Sequence, residues 1–464
     1  MPFKVHIKTY GCQMNERDSE MIAVLLKRQG YALVERESQA DVVIVNTCSV
    51  RAKAEDKAIG KLRMLIDARR EHPGQIIGVV GCMVQRLKEE LFRKIPGLDF
   101  AVGTHVLTRV PAILDAVLSG IVPTSHGGGT KTGRRPIIDV TSSGDQSDGH
   151  THLPGQVSAF VNILFGCNRH CAYCVVPEVR GREWSRPARD IIVEARQLVA
   201  QGVKEITLLG QSIMAYGRQT SVWQATDRSP RGFTEPLPRL LEALNDIPGL
   251  CRLRFTSGHP GGCSPELARV FAELPAVCEH LHLPLQSASD RILKLMRRGY
   301  TAGDYRAAVR RLREAEPRIV LSTDVIVGFP TETPEEFDLT RAFLAEIGFD
   351  NVYIFKYNPR PGTLAAQWND DVSVNEKLRR NHALLEDQGR RSQTFHQAFV
   401  GQTCEVLAEG PSLRNKARWA GRTRQNILAV FDAEPGLKAG DLVPVRVARA
   451  TAQALYGKIE SNEK

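Results

Sequence analysis

The first 120 residues alternate between short apolar stretches and longer amphipathic ones. Three of the apolar stretches, VHIKTYGC, DVVIVNTC and QIIGVVGC, are rich in β-branched residues and end at Cys12, Cys48 and Cys82. Charged segments with helical periodicity follow them, at about Glu16–Gln29, Ala52–Arg70 and Val84–Lys94. This alternation predicts an α/β fold over residues 1–120, an open domain with a mainly parallel sheet.

Residues 121–153 are rich in Gly, Ser, Thr and Asp, and this composition predicts a linker. The strand–helix alternation resumes over residues 154–392, where six further strands are predicted. Their sequences are VSAFVNILF, EITLLGQ, LRFTSG, HLHLPLQ, RIVLSTDVIVGF and NVYIFKYNP. Parallel strands with intervening helices predict a full or partial α/β barrel, with functional residues on the loops that follow the strands.

Residues 395–463 form short alternating runs without helices between them, which predicts a small β-barrel of the OB-like kind. One hairpin of this barrel carries a basic cluster that is interleaved with Trp419. Its members are Arg414, Lys416, Arg418, Arg422 and Arg424. Such a cluster suits phosphate contacts and base stacking, and the alternative is a solvated charged face.

The composition is that of a soluble globular chain of 464 residues, which is long enough for two to four domains. The formal net charge of +10 is compatible with a polyanionic partner but does not establish one. The start of the chain does not resemble a signal peptide, and the apolar run 76–84 is too short to span a bilayer. We therefore expect a cytoplasmic protein without a membrane partner, whose cysteines are reduced.

The stretch GCNRHCAYC places Cys167, Cys171 and Cys174 at the spacing C-x3-C-x2-C. Three thiolates can hold three irons of a [4Fe–4S] cluster and leave the fourth iron for a substrate. S-adenosylmethionine offers the adjacent amine and carboxylate that would chelate that iron, and its reductive cleavage would release a 5′-deoxyadenosyl radical. Zinc on these cysteines and His170 is the alternative, but such crowded ligands would strain a tetrahedral shell.

Cys12, Cys48 and Cys82 lack the spacing of a metal motif. Each closes an apolar strand just before a helix, so a parallel sheet would place all three at its carboxyl edge, where ligands bind. Helix N-termini at that edge would favour an anionic cluster held by thiolates, and the alternative is that these cysteines are simply buried. The remaining cysteines are interpreted as core or incidental thiols: Cys251, Cys263, Cys278 and Cys404.

The motif with Tyr173 before its last cysteine resembles that of the radical S-adenosylmethionine enzymes. The resemblance implies that Tyr173 packs near the adenine and that Gly210 and Gln211, at the end of the second strand, contact the methionine amine. It also implies contacts to ribose and adenine from Gln286, at the end of the fourth strand, and from Val327 in the stretch VIVGFPTET. Ordinary strand ends and turns are the alternative interpretation of these four residues.

The whole chain, apart from the linker, resembles the methylthiotransferases of that superfamily. TYGCQMN, NTCSVR and GCMVQR resemble their amino-terminal domain (here residues 1–120), and residues 400–464 resemble their carboxyl-terminal TRAM barrel. The resemblance implies a second [4Fe–4S] cluster on Cys12, Cys48 and Cys82, a radical S-adenosylmethionine core over residues 154–392, and a TRAM RNA-binding domain over residues 395–463.

CQMN, NTCSVR, CVVPEVRGREWSRP and GRTRQN resemble the tRNA-modifying branch, although Ser212 stands where asparagine is more usual. That branch implies the conversion of N6-isopentenyladenosine beside the anticodon to its 2-methylthio derivative, with two S-adenosylmethionine molecules and sulfur from the auxiliary cluster. The implied partners are a tRNA that carries isopentenyladenosine and an electron donor such as flavodoxin, and we expect a monomer. Other branches act on a ribosomal-protein aspartate or on threonylcarbamoyl-adenosine, and a zinc-dependent RNA-binding protein is the alternative from another class.

Overall fold

The computed structural model describes residues 2–120, 136–141, 151–224 and 227–460. These residues form two compact units, and the first consists of Met1–Pro154, Phe165–Arg169 and Cys174–Trp184. The second consists of Gly155–Leu164, His170–Tyr173 and Ser185–Lys464. Most of the predicted linker, residues 121–135 and 142–150, lies outside the described residues.

The first unit contains a parallel sheet with the strand order β2-β1-β3-β4-β5-β6. The strands are β1 Lys4–Thr9, β2 Ala32–Leu33, β3 Val42–Thr47, β4 Ile76–Gly81, β5 Phe100–Val102 and β6 Ile137–Asp139. The helices that connect and flank them are α1 Gln13–Arg28, α2 Ala52–Ala68, α3 Cys82–Leu87, α4 Glu90–Lys94 and α5 Val110–Ser119. The open parallel α/β fold is therefore confirmed, while β6 lies in the range that the composition predicted as linker.

The apolar run of β3 is buried on both faces of the sheet. Ile44 packs in the cluster that contains α1 and α5, whereas Val43 and Val45 pack in the cluster that contains α2. Such near-continuous apolar strands are typical of parallel sheets covered by helices on both faces. The single helix predicted over residues 84–94 is wrong, because Lys88 has a φ of 49° and separates α3 from α4.

The central part of the chain forms a partial barrel of parallel strands. Its strands are β7 Ser158–Phe165, β8 Trp184–Ser185, β9 Glu205–Gly210, β10 Arg252–Phe255, β11 His280–His282, β12 Val320–Val327 and β13 Asn351–Lys356. Its helices are α6 Val176–Arg180, α7 Ala188–Ala200, α8 Pro236–Asn245, α9 Pro265–Glu273, α10 Asp290–Leu295, α11 Ala302–Ala315, α12 Pro334–Ile347 and α13 Val374–Gln397. The sheets β10-β9-β7-β8 and β11-β12-β13 are linked by a parallel bridge between Leu253 and Val277.

The last strands close into the small barrel that the alternating pattern predicted, in the order β14-β15-β16-β18-β17. They are β14 Thr403–Pro411, β15 Arg418–Thr423, β16 Leu428–Asp432, β17 Leu442–Ala450 and β18 Leu455–Ile459. Short 3-10 helices occur at Glu37–Gln39, Leu107–Arg109, Ile213–Ala215, Pro260–Gly262 and Leu364–Gln367. In the described ranges, every helix is too short or too polar to cross a bilayer.

Candidate functional site

Three cysteines of the first unit lie at one edge of its parallel sheet. Cys12 follows β1 and caps α1, Cys48 follows β3, and Cys82 follows β4 as the first residue of α3. Because β1, β3 and β4 are neighbours in the sheet, their carboxyl ends place these residues side by side. Cys48 and Cys82 are buried, whereas Cys12 is half-buried.

Two asparagines from the same motifs connect the strand ends that carry Cys12 and Cys48. The Asn15 amide donates to Asn46 Oδ1 at 3.1 Å and to the Thr47 carbonyl at 3.0 Å. The Asn46 amide donates in turn to the Asn15 carbonyl at 2.9 Å and to Ser19 Oγ at 2.9 Å. Both asparagines are fully buried, so this hydrogen-bond network fixes the spacing of the first two cysteines.

A glycine is required immediately before Cys82. Gly81 has a φ of 99°, and a Cβ atom there would lie 2.5 Å from Asn46 Oδ1 and 2.6 Å from the Thr47 carbonyl oxygen. Any other residue would therefore displace the asparagine network from the edge of the sheet.

The three thiols form an electrostatically unfavourable group when they are ionised without a metal. Burial, together with the neighbouring Cys82 and Cys12, raises the pKa of the Cys48 thiol to about 12. Burial also raises the pKa of Cys82. Buried, mutually repelling thiolates need positive charge beside them, and the irons of an Fe–S cluster supply it. The donor set therefore fits a [4Fe–4S] cluster.

The described residues contain no group of three His, Cys, Asp or Glu side chains that converges on a point where a single metal ion could sit. A cuboidal cluster is larger than an ion, so it holds its thiolates farther apart than a shared ion would.

The loop after β7 carries Cys167, Cys171 and Cys174. In the first unit, the Cys167 amide donates to the Gly181 carbonyl at 3.2 Å, and the Arg169 amide donates to Cys167 Sγ at 3.4 Å. These bonds hold the start of the loop against the segment that follows α6.

The middle of this loop, residues 170–173, belongs to the second unit. The Ala172 amide donates to the Met296 carbonyl at 3.0 Å, and the Ala172 carbonyl accepts from the Ala365 amide at 2.7 Å. Tyr173 packs edge-to-face on Phe329, with 6.5 Å between the ring centroids. The ring of Tyr173, which belongs to the cysteine loop, is thus held by an aromatic neighbour.

Arg298 is a candidate functional residue that the sequence reasoning missed. Its guanidinium is buried and donates to Cys171 Sγ at 3.4 Å, to the Tyr300 hydroxyl at 3.2 Å and to the Pro284 carbonyl at 3.3 Å. A buried cation beside a thiolate lowers the free energy of the anionic form. No local sequence pattern could have identified Arg298, because 127 residues separate it from Cys171.

The four residues predicted to contact S-adenosylmethionine at strand ends lie in different environments. Gly210 ends β9 as predicted, and the side-chain Oε1 of Gln211 is buried without a hydrogen-bond partner in the described part of the chain. Gln286 does not end a strand, because β11 stops at His282 and Gln286 forms only a bridge to β12 at a φ of 73°. The Val327 side chain is fully buried in the hydrophobic core, so its predicted contact with a ligand could come only from its backbone.

A polar row crosses the strands β11, β12 and β13. Leu281 and Val325 pack in the core, so the alternating residues His282 and Asp324 face the interior of the partial barrel. The two side chains approach to 3.3 Å, and the half-exposed Tyr353 ring lies 5.7 Å from the His282 ring. Together they offer hydrogen-bonding groups and an aromatic ring at one surface.

The basic cluster predicted to bind RNA divides into two groups. Arg414 and Lys416 are exposed in the loop between β14 and β15, and neither forms an ion pair or hydrogen bond with another described residue. Arg418 is instead paired with Asp432 at 3.0 Å, and Arg422 donates to the Asn426 carbonyl at 3.1 Å.

Arg424 docks the small barrel on the partial barrel, contrary to the interpretation as an RNA contact. Its guanidinium donates to both carboxylate oxygens of Glu279, at 2.9 and 3.0 Å, and to the Pro275 and Val277 carbonyls at 2.9 Å. Arg254 of β10 reinforces this junction, since it donates to the carbonyl of Arg424 at 2.7 Å. The Nε and Nη2 groups of Arg424 are therefore already used within the protein.

The outer face of β17 and β18 carries basic residues that sequence reasoning did not select. Arg446 lies opposite Lys458, and the Arg449 guanidinium lies 4.1 Å from the centroid of the Tyr456 ring. The alternation of VPVRVAR, with exposed residues between buried valines, is the signal that could have identified them.

Family models match three successive parts of the chain. They are described as Uncharacterized protein family UPF0004 over residues 4–103, Radical SAM superfamily over residues 161–344 and TRAM domain over residues 397–459.

Among solved structures, the chain is similar to the radical S-adenosylmethionine methyltransferase TsrM from Kitasatospora setae. The complex with tryptophan and an S-adenosylmethionine analogue aligns with a TM-score of 0.56 at 15% identity, over 78% of this chain and 75% of TsrM. A second TsrM structure, with cobalamin and a [4Fe–4S] cluster, aligns with a TM-score of 0.52 at 15% identity, over 79% of this chain and 77% of TsrM. At this identity, the likeness establishes the fold.

Relatives from several bacteria match over nearly their whole length, and each is called tRNA-2-methylthio-N(6)-dimethylallyladenosine synthase. The protein from Akkermansia muciniphila is 43% identical, and the alignment covers 98% of both chains. The protein from Moorella thermoacetica is 42% identical, with 98% of this chain and 97% of the relative covered. This chain therefore belongs to the family of tRNA-2-methylthio-N(6)-dimethylallyladenosine synthases.

Proposed function

We propose that this protein is a radical S-adenosylmethionine enzyme that converts N6-isopentenyladenosine beside the anticodon of tRNA to its 2-methylthio derivative. The observation that carries the proposal is the second cysteine triad. Cys12, Cys48 and Cys82 are separated in sequence but adjacent at the edge of one sheet, in a chain that also carries the C-x3-C-x2-C loop. The hydrogen that is replaced belongs to an unactivated aromatic carbon, so a polar nucleophile cannot replace it with sulfur and radical chemistry is required.

Two [4Fe–4S] clusters are the cofactors of this proposal. The first would be held by Cys167, Cys171 and Cys174, and the auxiliary cluster by Cys12, Cys48 and Cys82. When bound, the clusters supply the electron that cleaves S-adenosylmethionine and the sulfur that is transferred.

Several side chains of this protein suit the tasks that remain. The buried Oε1 atom of Gln211, which has no hydrogen-bond partner among the described residues, can accept a hydrogen bond from the methionine amine. Arg298 holds Cys171 in place and offsets its negative charge. Inside the partial barrel, Asp324 can accept the N6–H of a modified adenine while the exposed ring of Tyr353 stacks on the base.

The macromolecular partner of this proposal is a tRNA that already carries the isopentenyl group. Arg414 and Lys416 would contact its phosphates, together with Arg446, Arg449 and Lys458 on the outer face of the small barrel. The electron donor would be a small redox protein such as flavodoxin, and the enzyme would act as a cytoplasmic monomer.

The decisive experiment separates the two cysteine triads. Replacing Cys12, Cys48 and Cys82 by alanine should leave the reductive cleavage of S-adenosylmethionine intact while it abolishes methylthiolation. Replacing Cys171 alone by alanine should abolish both reactions. Cys251→Ala is the matched control and should change neither, because Cys251 belongs to neither triad.

The products are 5′-deoxyadenosine, measured by liquid chromatography, and the modified nucleoside, measured by mass spectrometry of digested tRNA. Formation of the 2-methylthio nucleoside by the amino-terminal triple variant would refute the assignment of the auxiliary cluster. Mass spectrometry of tRNA from a deletion strain identifies the substrate, because loss of the 2-methylthio group from threonylcarbamoyl-adenosine would place the enzyme in the other tRNA-modifying branch.

A further inference from the structure

Arg180, the last residue of α6, is buried beside the amino-terminal cysteines. Only 7% of Arg180 is exposed, and its guanidinium donates to the equally buried Asp18 at 2.6 Å. Burial raises the pKa of the Cys82 thiol, and the nearby positive charge of Arg180 opposes that rise. Arg180 therefore lies between a carboxylate of α1 and one of the thiols assigned to the auxiliary cluster.

The backbone around Arg180 is held firmly on this edge of the sheet. Val175 and Val179 pack against Cys82, and the Val179 carbonyl accepts a hydrogen bond from Thr104. Gly181, which follows Arg180, accepts the hydrogen bond from the Cys167 amide. A Cβ atom on Gly181 would lie 2.8 Å from the ring of His105. The position of the guanidinium is thus set by packing on both sides.

Stability alone does not account for this arrangement. A buried ion pair contributes little net stability, because the desolvation of both charges offsets their attraction, and an apolar pair of similar volume is often as stable. The ion pair with Asp18 instead fixes a positive charge close to the sulfur of Cys82. Net charge and hydrogen bonds to the sulfurs are two of the properties that set the reduction potential of an Fe–S cluster.

We propose that Arg180 is a positioning residue for the auxiliary cluster, which places a fixed positive charge beside Cys82 and thereby raises the reduction potential of the cluster. Asp18 holds the guanidinium in the orientation that serves Cys82. This inference rests on the proposed function, because it requires a cluster on Cys12, Cys48 and Cys82. It also explains why the segment that follows the C-x3-C-x2-C loop packs on Cys82, since α6 brings the cation to this cysteine.

The test isolates the auxiliary cluster in the full-length chain. Cys167, Cys171 and Cys174 are replaced by alanine, and the protein is reconstituted anaerobically with iron and sulfide. Arg180→Met and Arg180→Gln remove the charge, and Arg180→Lys retains it. Arg182→Met is the matched control, because Arg182 is exposed and lies only two residues away.

The readouts are iron content and the reduction potential from electron paramagnetic resonance during a potentiometric titration. At a fixed potential, the ratio of reduced to oxidised cluster should be about tenfold lower in Arg180→Met and Arg180→Gln, which corresponds to a potential about 59 mV lower. Removal of a cation disfavours the more negative reduced state, which gives the direction. Arg180→Lys should largely restore the potential, and Arg182→Met should not change it.

The outcomes distinguish this inference from the proposed function. Absence of any cluster when Arg180 is intact would overturn the assignment of the auxiliary cluster and with it this inference. A cluster in Arg180→Met or Arg180→Gln with the same potential as in Arg182→Met would overturn the role of Arg180 alone. Because glutamine is polar and can still donate a hydrogen bond to Asp18, Arg180→Gln tests the charge even if Arg180→Met fails to fold.

Discussion

We expect some basic residues of the small barrel to bind RNA and others to stabilise the fold. Arg414 and Lys416 are exposed in the loop between β14 and β15, whereas Arg424 donates four hydrogen bonds to Glu279 and two carbonyls. We therefore predict opposite effects for the double variant Arg414→Gln/Lys416→Gln and for Arg424→Gln. The first should weaken tRNA binding, and the second should lower stability.

The magnitudes follow from the number of contacts. Each lost phosphate contact reduces the slope of log affinity against log salt by about 0.7 for single strands and about 0.9 for duplexes. Loss of the contacts of Arg414 and Lys416 should therefore reduce the slope by about 1.4 to 1.8, so the binding defect should shrink about tenfold between 50 and 200 mM salt. Arg424→Gln leaves the buried carboxylate of Glu279 poorly compensated, at a cost of about 3 kcal/mol.

The assay is fluorescence anisotropy of labelled tRNA at several salt concentrations, with thermal unfolding measured on the same proteins. Arg424→Gln should lower the unfolding temperature and leave the salt slope of the folded protein unchanged. The reasoning would be wrong if Arg424→Gln reduced the slope while Arg414→Gln/Lys416→Gln did not, because the guanidinium of Arg424 would then contact RNA rather than Glu279.

Three further predictions concern single side chains. His396 donates from both ring nitrogens, to Asp350 at 2.9 Å and to the Thr451 carbonyl at 2.7 Å. Burial lowers the pKa of His396, but these two hydrogen bonds outweigh burial, and the net effect is a raised pKa. The stability lost in His396→Gln, measured by thermal unfolding, should thus be largest below about pH 6.5 and should diminish as the pH rises through the raised pKa. Asn46→Ala removes three buried hydrogen bonds, so the free energy of unfolding, measured by thermal unfolding, should fall by about 3 kcal/mol. The variant should also bind less iron after reconstitution, and an unchanged iron content would contradict a role of Asn46 in positioning the cysteines. Arg298→Met should reduce 5′-deoxyadenosine formation at least tenfold, because the sulfur of Cys171 loses its neighbouring cation. Arg298→Lys should retain more activity, and equal rates for the two variants would exclude a role of the charge.

Local pattern was sufficient to place the amino-terminal cysteines. The β-branched runs before Cys12, Cys48 and Cys82 end where the strands end, and helices follow each of them. Once a parallel sheet is inferred, its geometry brings the carboxyl ends of neighbouring strands together, so the shared edge follows without any side-chain information. The asparagine network could not be inferred in this way, because it depends on the register between β1 and β3.

Other features required information that periodicity does not contain. The amphipathic pattern continues through Lys88, whereas the chain there adopts a left-handed conformation that ends α3. In VLSTDVIV, apolar residues occupy both faces of β12, so the pattern does not show that Val327 faces the core. Charge indicated that Arg424 has an anionic partner, but it could not distinguish a phosphate from Glu279, which lies 145 residues away.

The most important residues that sequence reasoning missed are two buried arginines. Arg298 donates to Cys171 and Arg180 lies beside Cys82, and in each pair about a hundred residues or more separate the cation from the sulfur. A thiolate that ligates iron carries negative charge into a buried site, and any folded chain that stabilises such a site must place positive charge or hydrogen-bond donors beside it. That requirement constrains the three-dimensional structure and not the spacing in sequence, so many parts of the chain can satisfy it. A cysteine motif therefore predicts that a compensating cation or hydrogen-bond donor exists, and only the fold shows which residue supplies it.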